Sequence, residues 1–252
     1  NSYIIKILNN IAKYIYHKSE SIVVVTRSFK DYLINMGINK DKITIIENGF
    51  NFERTLSPNK SIQTIRNEYK INNDNFIVSY IGTIGMSHGI EVVIRAAEII
   101  KDITFLIIGE GAEKNNLKKI IEEKEITNVI FLNHIDWQEI VNINQIISAN
   151  LIHLRNLELF KTVIPSKIFE SMALKKPILA GLIGESLEII TKSNSGIQIT
   201  PENPKSLVEG ILFLKNNTEK AQKLGNNGFT LVSKRYNRKI LAQQMIQSIN
   251  KL

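Results

Sequence analysis

Three residues with usable chemistry lie close together in residues 160–181, FKTVIPSKIFESMALKKPILAG: Ser166, Lys167 and Glu170, at i, i+1 and i+4. Helical spacing puts them on one face, while Pro165, Ile168, Phe169 and Met172 fall on the other. Pro165 suits a first helical position, Pro177 closes the helix, and residues 178–180 with Gly181 read as a short buried strand. Free N–H groups at a helix start, with the positive end of its dipole, make an anion site. A carboxylate one turn further in can accept hydrogen bonds from sugar hydroxyls. That combination suits a nucleotide-sugar, with diphosphate at the helix start and ribose at Glu170. A plain amphipathic helix with a solvated Ser-Lys-Glu face has the same spacing, so the context must decide.

Other candidate groups end successive strand patterns. Residues 82–89, GTIGMSHG, hold Gly82, Thr83 and His88 and place three glycines at a strand-to-helix turn, which permits close backbone approach to a phosphate. The spacing matches neither the dinucleotide fingerprint nor a Walker loop, and a merely tight turn is the other reading. Gly109-Glu110-Gly111 ends the second strand. Asn133-His134-Ile135-Asp136 ends the third, where backbone groups could read a base edge. The fourth delivers His153 and Arg155, whose guanidinium could pair with phosphate oxygens.

Positioning these loops requires a sheet. Strands are expected at residues 76–81, 104–108, 129–132, 151–154, 178–180 and 196–199, with helices near 89–100, 112–125, 137–147, 166–174 and 185–192 between them. This alternation predicts an α/β fold: a Rossmann-like, doubly wound parallel sheet with helices on both faces, whose ligands bind beyond the carboxyl ends of the strands. Helices at 204–216, 218–235 and 238–250 form the tail, and the last could cross back to the front of the chain. At the front, residues 3–17 space Ile4, Ile5, Leu8, Ile11 and Ile15 helically, and this stripe is expected to bury against a sheet. Residues 21–26 and 43–46 read as strands, with a helix capped by Ser28 between them. Residues 50–60 carry no apolar periodicity and read as an interdomain linker.

The 252 residues, 43% hydrophobic and 22% charged, allow one large or two smaller globular domains. The absence of cysteine excludes disulfides and thiolate metal sites and fits a reducing compartment. The net charge of +8 favours anionic partners. Lys and Arg are nevertheless scattered over helices without a dense basic block, which argues against nucleic acid. No Asp-x-Asp pair and no metal-site spacing among His17, His88, His134 and His153 appear, so neither a metal nor a cofactor is expected.

Taken together, residues 21–51 and the blocks YIGTIGMSHGIEVVIRAAEII, FLIIGEGAEKNNLKKII, VIFLNHIDWQEI and IPSKIFESMALKKPILAG resemble the retaining glycosyltransferases of family 4 in order and spacing. The PSKIFESMA form is most similar to the branch of N-acetylfucosaminyl-type transferases of bacterial surface polysaccharides. The resemblance implies a GT-B fold, two Rossmann-like domains facing across a cleft. Residues 1–55 would be the end of the acceptor-side domain and linker, residues 56–235 the nucleotide-sugar domain, and residues 236–252 the returning helix. It also implies transfer from a nucleotide-sugar, expected to be UDP-linked, to a glycan or lipid-linked acceptor, and so a cytoplasmic place with peripheral association at the inner membrane face.

The family's diphosphate-binding Arg and Lys fall on Thr83 and His88, so phosphate charge is expected from Arg155 and Lys167 instead. Glu170 fits the second of the family's two glutamates, and Thr162 stands at the first. Pro165 replaces a common glycine, which leaves the N–H donors of Ser166, Lys167 and Ile168. About 50 residues before the linker cannot hold a whole acceptor domain. The chain, opening at Asn1, is expected to be part of a longer protein or to be completed by a partner, and the catalytic residues of that half are not assigned. A GT-B epimerase using the same donor pocket and a non-catalytic donor-binding subunit remain the alternatives.

Overall fold

The computed structural model describes residues 3–54, 56–71 and 75–249. Asn1, Thr55 and Asn250, where the reading above put the chain start, a domain edge and the end of the last helix, lie outside them. The front consists of α1 (Tyr3–Lys18), β1 (Ile22–Val24), α2 (Arg27–Asn35) and β2 (Ile43–Ile45), followed by α3 (Ile62–Glu68). The main domain runs β3 (Phe76–Ile81), α4 (Glu91–Ile99), β4 (Ile103–Ile108), α5 (Lys114–Glu123), β5 (Val129–Leu132), α6 (Trp137–Asn144) and β6 (Ala149–His153). It continues through α7 (Lys167–Ala173), β7 (Ile178–Gly181), α8 (Glu185–Ser193), β8 (Gly196–Gln198), α9 (Pro204–Asn216), α10 (Thr218–Arg235) and α11 (Arg238–Ile249).

Six parallel strands lie in the order β5-β4-β3-β6-β7-β8. This doubly wound order reverses direction between β3 and β6, which is where such a sheet opens a ligand crevice. The expected fold class is met, with helices on both faces. Strands β4, β6 and β7 are buried at every residue, as two covered faces require, and read in sequence as largely apolar runs interrupted by the buried polar residues Thr104, Asn150 and His153. One core joins Tyr80, Phe105 and Ile107 to α4 and α9; a second joins Ile168, Phe169 and Met172 of α7 to Tyr236 and Phe50.

Several expectations at the front need correction. Ser28 does not cap α2: the hydroxyl of Thr26 accepts from the Phe29 N–H at 3.1 Å, and Ser28 lies inside the helix. No residue of α1 is buried, because β1 and β2 form only a two-stranded sheet, too narrow to cover the Leu8, Ile11 and Ile15 stripe. Helix α3 was not anticipated, since seven residues hold too few apolar positions for a clear period. Residues 56–60, within the segment read as a linker, are held along α6. Asn59 N–H donates to Asn142 at 2.9 Å, and the Lys60 ammonium lies 3.0 Å from the Glu139 carboxylate, which also accepts from Tyr69 at 2.7 Å.

Two long-range ties join the front to the main domain. Phe50 pairs with the chain at Asn237: its N–H donates to Tyr236 O at 2.8 Å and its carbonyl accepts from Arg238 at 3.0 Å. Helix α11 returns far enough for Ser248 Oγ to lie 3.2 Å from Thr44 Oγ1. The second tie is Glu185 at the start of α8, whose buried carboxylate accepts from the backbone N–H groups of Arg27 at 2.9 Å and Ser28 at 2.6 Å.

Burial alone would raise the Glu185 pKa, but the hydrogen bonds from Ser28 and Arg27 outweigh it and hold the carboxyl below its ordinary value. A depressed folded pKa gives stability that is present above the unfolded value of about 4.3 and lost as pH falls through the folded one. Glu185→Gln is therefore expected to destabilise by roughly 1.5–3 kcal/mol at pH 7, with the gap to wild type closing below about pH 4. Urea unfolding across pH checks this; an equal gap at pH 3 and pH 7 would show that the charge has no part in the tie.

Candidate functional site

At the carboxyl ends of β3, β4 and β5, facing the start of α7, lies a cleft of about 630 Å³. Each wall has a local cause. β3 stops at Ile81 because Gly82 turns away at φ +132°, and Gly82 N–H still bonds Ile108 O at 2.8 Å. α7 is held by Ile168, Phe169 and Met172, all fully buried, with the Phe169 ring 4.5 Å from that of Tyr236. Burying side chains of this size contributes roughly 1.5–3 kcal/mol each. Its opposite face, with Ser166, Lys167 and Glu170, is left to line the cleft.

Lys167 is the most constrained of these groups. Its ammonium donates to the Tyr80 hydroxyl at 2.7 Å and stands 4.3 Å from the centre of the same ring. Tyr80, itself 1% exposed, donates onward to Thr83 O at 2.5 Å. The ammonium fits only because position 82 has no side chain: a Cβ there would come 2.4 Å from Lys167 Cε and 2.7 Å from Nζ. Burial pushes the Lys167 amine down to about 8, partly offset by Glu170. Burial likewise raises the Glu170 carboxyl, and Arg54, Lys167 and Arg238 pull it back. At pH 7 the amine is mostly charged and the carboxyl sits in a cationic surround.

Of the residues singled out from sequence, Gly82, Thr83, Glu110, His134, Ile135, Ser166, Lys167 and Glu170 line the cleft. Four do not. The Arg155 guanidinium is directed away, donating to Met86 O at 2.6 Å and to Glu202 at 2.9 Å, so it holds the glycine loop rather than facing the cleft. The His88 ring contacts Ser87 Oγ at 3.0 Å, and burial with the nearby charge of Lys167 pushes it down to about 4, which leaves it neutral at pH 7. Ile168 is buried, and its N–H donates to Pro165 O at 3.2 Å, so only the N–H groups of Ser166 and Lys167 remain as donors at the helix start. Pro165 shapes that turn without lining the cleft.

The loops are fastened from behind by groups that face away from the cleft. His153 Nδ1 donates to His88 O at 2.6 Å while its Nε2 accepts from the Glu202 N–H at 2.8 Å, which fixes the ring as the neutral Nδ1–H form. Buried Lys114 ties the ends of β4 and β5 together, donating to Gly109 O at 3.0 Å, Glu110 at 2.7 Å and Asn133 at 2.9 Å. The Glu110 carboxyl is thereby held below its ordinary range by Lys114 and the His134 N–H.

Sequence reasoning missed Arg54 and Lys114. Glu110 and Lys114 at i,i+4 gave a usable signal for the second. Arg54 had none: it belongs to the turn Phe52–Arg54 and reaches the cleft wall because Phe50 is anchored at Asn237. Its carbonyl accepts from Trp137 Nε1–H at 2.7 Å, and its guanidinium stacks over that ring at 5.2 Å.

Comparison with known proteins bears on the family and the fold. The family model for glycosyl transferases group 1 matches residues 61–230. The capsular polysaccharide biosynthesis glycosyltransferase CapM of Staphylococcus aureus is 22% identical over 247 residues, covering 91% of this chain and 61% of its own length. The alpha-galactosylglucosyldiacylglycerol synthase of Streptococcus pneumoniae is 28% identical over 65% of this chain and 44% of its own. Among solved structures, Anabaena Alr3699/HepE in complex with UDP and glucose superposes with a TM-score of 0.82 at 20% identity, over 96% of this chain and 66% of that one. The same protein is also solved in complex with UDP-glucose. The chain thus spans about three fifths of CapM and less than half of the synthase.

Gly82→Ala is expected to destabilise the protein by roughly 1–3 kcal/mol, from backbone strain and displacement of Lys167. Gly85→Ala in the same loop, where a Cβ meets nothing closer than 3.7 Å, should change stability by less than about 0.5 kcal/mol. Equal urea midpoints for the two variants would contradict the claim that the lysine depends on position 82.

Proposed function

Because the chain belongs to the glycosyl transferases group 1 family, we propose that it is the donor-binding half of an enzyme that moves a sugar from UDP to a glycan or lipid-linked acceptor of a surface polysaccharide. The reading places it in the retaining family 4, in the N-acetylfucosaminyl-type branch. The observation that carries it is Lys167, a partly desolvated ammonium at the switch point of the sheet, beside the backbone N–H groups of Ser166 and Lys167, which have no backbone acceptor among the described residues. Names of similar proteins support the two ends of the reaction: HepE for UDP and UDP-glucose, CapM and the diacylglycerol synthase for glycan and lipid acceptors.

In this reading the uracil lies against the backbone of His134 and Ile135, and the ribose hydroxyls donate to Glu170. The diphosphate sits between Gly82-Thr83 and the N–H groups of Ser166 and Lys167. As the sugar–phosphate bond breaks, negative charge grows on the departing UDP, and cations already in place stabilise it without reorganising. Lys167 supplies one such cation and Arg54 the second, in place of the Arg and Lys that the family carries where Thr83 and His88 stand. These two side chains are the source of the positive charge in this reading.

Residues 56–235 form the donor domain in the proposal, and residues 1–55 and 236–252 belong to the acceptor side. There Val23 and Val25 are 38% and 45% exposed, and the α1 stripe is unburied. We assign this apolar face to the surface that completes the cleft. No helix of the described residues is long and apolar enough to cross a membrane; a lipid-linked acceptor would be met by peripheral association on the cytoplasmic side.

Calorimetric titration with UDP and uridine tests the assignment. Arg54→Ala should weaken UDP more than uridine, since it removes a charge from the diphosphate alone. Glu170→Gln should weaken both, by about 10- to 150-fold, as expected for the loss of roughly 1.5–3 kcal/mol of charged hydrogen bonding. Binding of NAD or ATP but of no uridine nucleotide would sink the reading.

A further inference from the structure

Residues 109–114 stand between the cleft-lining loops that follow β3 and β5, and the two loops are fastened to them differently. On the β3 side, backbone hydrogen bonds continue past the strands: Gly82 N–H donates to Ile108 O at 2.8 Å, Ile84 N–H to Glu110 O at 2.8 Å and Glu113 N–H to Ile84 O at 3.1 Å. Gly109 and Gly111 permit this approach, since a Cβ on either would collide with the carbonyl oxygen of Gly82 or Ile84. On the β5 side the ladder stops sooner. Its last pair is Ile108–Leu132, with Gly109 N–H on Leu132 O at 3.2 Å, and among the described residues no backbone hydrogen bond joins residues 110–113 to residues 133–136. Lys114 makes the join instead. Its ammonium donates to Gly109 O at 3.0 Å, the Glu110 carboxylate at 2.7 Å and Asn133 Oδ1 at 2.9 Å, with Leu132 O at 3.4 Å. The Glu110 carboxylate is held in turn between that ammonium and the His134 N–H.

Helix formation and packing give no reason for a charge at this position. Lys114 is the first residue of α5, where the helix dipole disfavours a cation, and its side chain is only 6% exposed, where desolvation disfavours one again. Three protons meet four oxygens, so the ammonium is spent on the two strand ends. It does not line the cleft, although Gly109, Glu110, His134 and Ile135 around it do. It therefore acts on a ligand only by setting where residues 133–135 stand.

That placement decides recognition if uracil lies against the backbone of His134 and Ile135, the proposed donor reading on which this inference rests. Backbone groups have fixed roles, N–H donating and C=O accepting, and cannot turn to suit another base as a hydroxyl can. Uracil offers a donor at N3 between two carbonyl acceptors. Cytosine offers an acceptor at N3 with an amino donor beside it. A strand end tells them apart only while its groups stand opposite the matching atoms of uracil, because a displaced edge leaves polar atoms unpaired with either base.

We propose that Lys114 is a positioning residue for the nucleobase: it holds residues 133–135 where they accept uracil and reject cytosine, while the diphosphate side of the cleft, fastened by backbone, does not depend on it. The test is calorimetric titration of UDP, CDP and pyrophosphate into the full chain. The wild type should prefer UDP to CDP by about tenfold or more. Lys114→Met should cut that preference by about fivefold or more and leave pyrophosphate affinity within about twofold. Loss of packing alone would not give this pattern, since a loosened cleft weakens all three ligands together. Asn133→Ala, at an exposed position outside the cleft lining, removes one acceptor of Lys114 without touching the core and keeps the test open if Lys114→Met does not fold. It should lower the preference in the same direction by about twofold or more. A wild type that binds UDP and CDP equally, an unchanged preference in a folded variant, or equal loss of all three ligands would overturn the proposal with the donor reading intact. No UDP binding to the wild type would overturn the donor reading and this proposal with it.

Discussion

The cleft depends on one arrangement: the Lys167 ammonium held against Tyr80 beneath Gly82. An ammonium in low dielectric is costly unless its protons find acceptors, and here one is donated to a hydroxyl that itself donates a hydrogen bond to Thr83 O. This contact links β3, the glycine loop and α7, three elements that a doubly wound sheet brings together only at its switch point. If α7 were to shift off the Ile168–Phe169–Met172 face, Lys167 would lose Tyr80. A side chain at position 82 would close the space that the lysine occupies.

Around that contact the charges divide by task. Arg155, His153 and Lys114 hold loop carbonyls and carboxylates from behind, and their donors are largely spent there. Lys167, Arg54 and Glu170 line the cleft, and the charges of Arg54, Lys167 and Arg238 all act on the Glu170 carboxyl. A rigid frame whose own polar groups are satisfied leaves a small set of cations for a ligand, which is the condition for electrostatic stabilisation without reorganisation.

The parallel sheet was legible because strands buried on both faces appear as mainly apolar runs such as ITFLII and ILAG, separated by helical periods. The Ser166, Lys167 and Glu170 face was legible because spacing within one helix is local. What failed was non-local. Arg155 looked like a phosphate ligand from its place after β6, but the sequence could not show that Met86 O and Glu202 would claim it. Arg54 was invisible because the Phe50–Asn237 pairing that brings it to the cleft spans most of the chain. The exposure of α1 was likewise beyond reach, since periodicity shows that a face is apolar and not whether anything covers it.

The central claim is that Lys167 is a desolvated amine waiting for an anion. Its ε-carbon resonance in selectively labelled protein, followed across pH with and without UDP, reads this directly. The account predicts a pKa of about 8 in the free protein, raised when UDP binds because the diphosphate favours the charged form. A free value near the ordinary 10.4 of lysine, or one that UDP leaves unmoved, would contradict it.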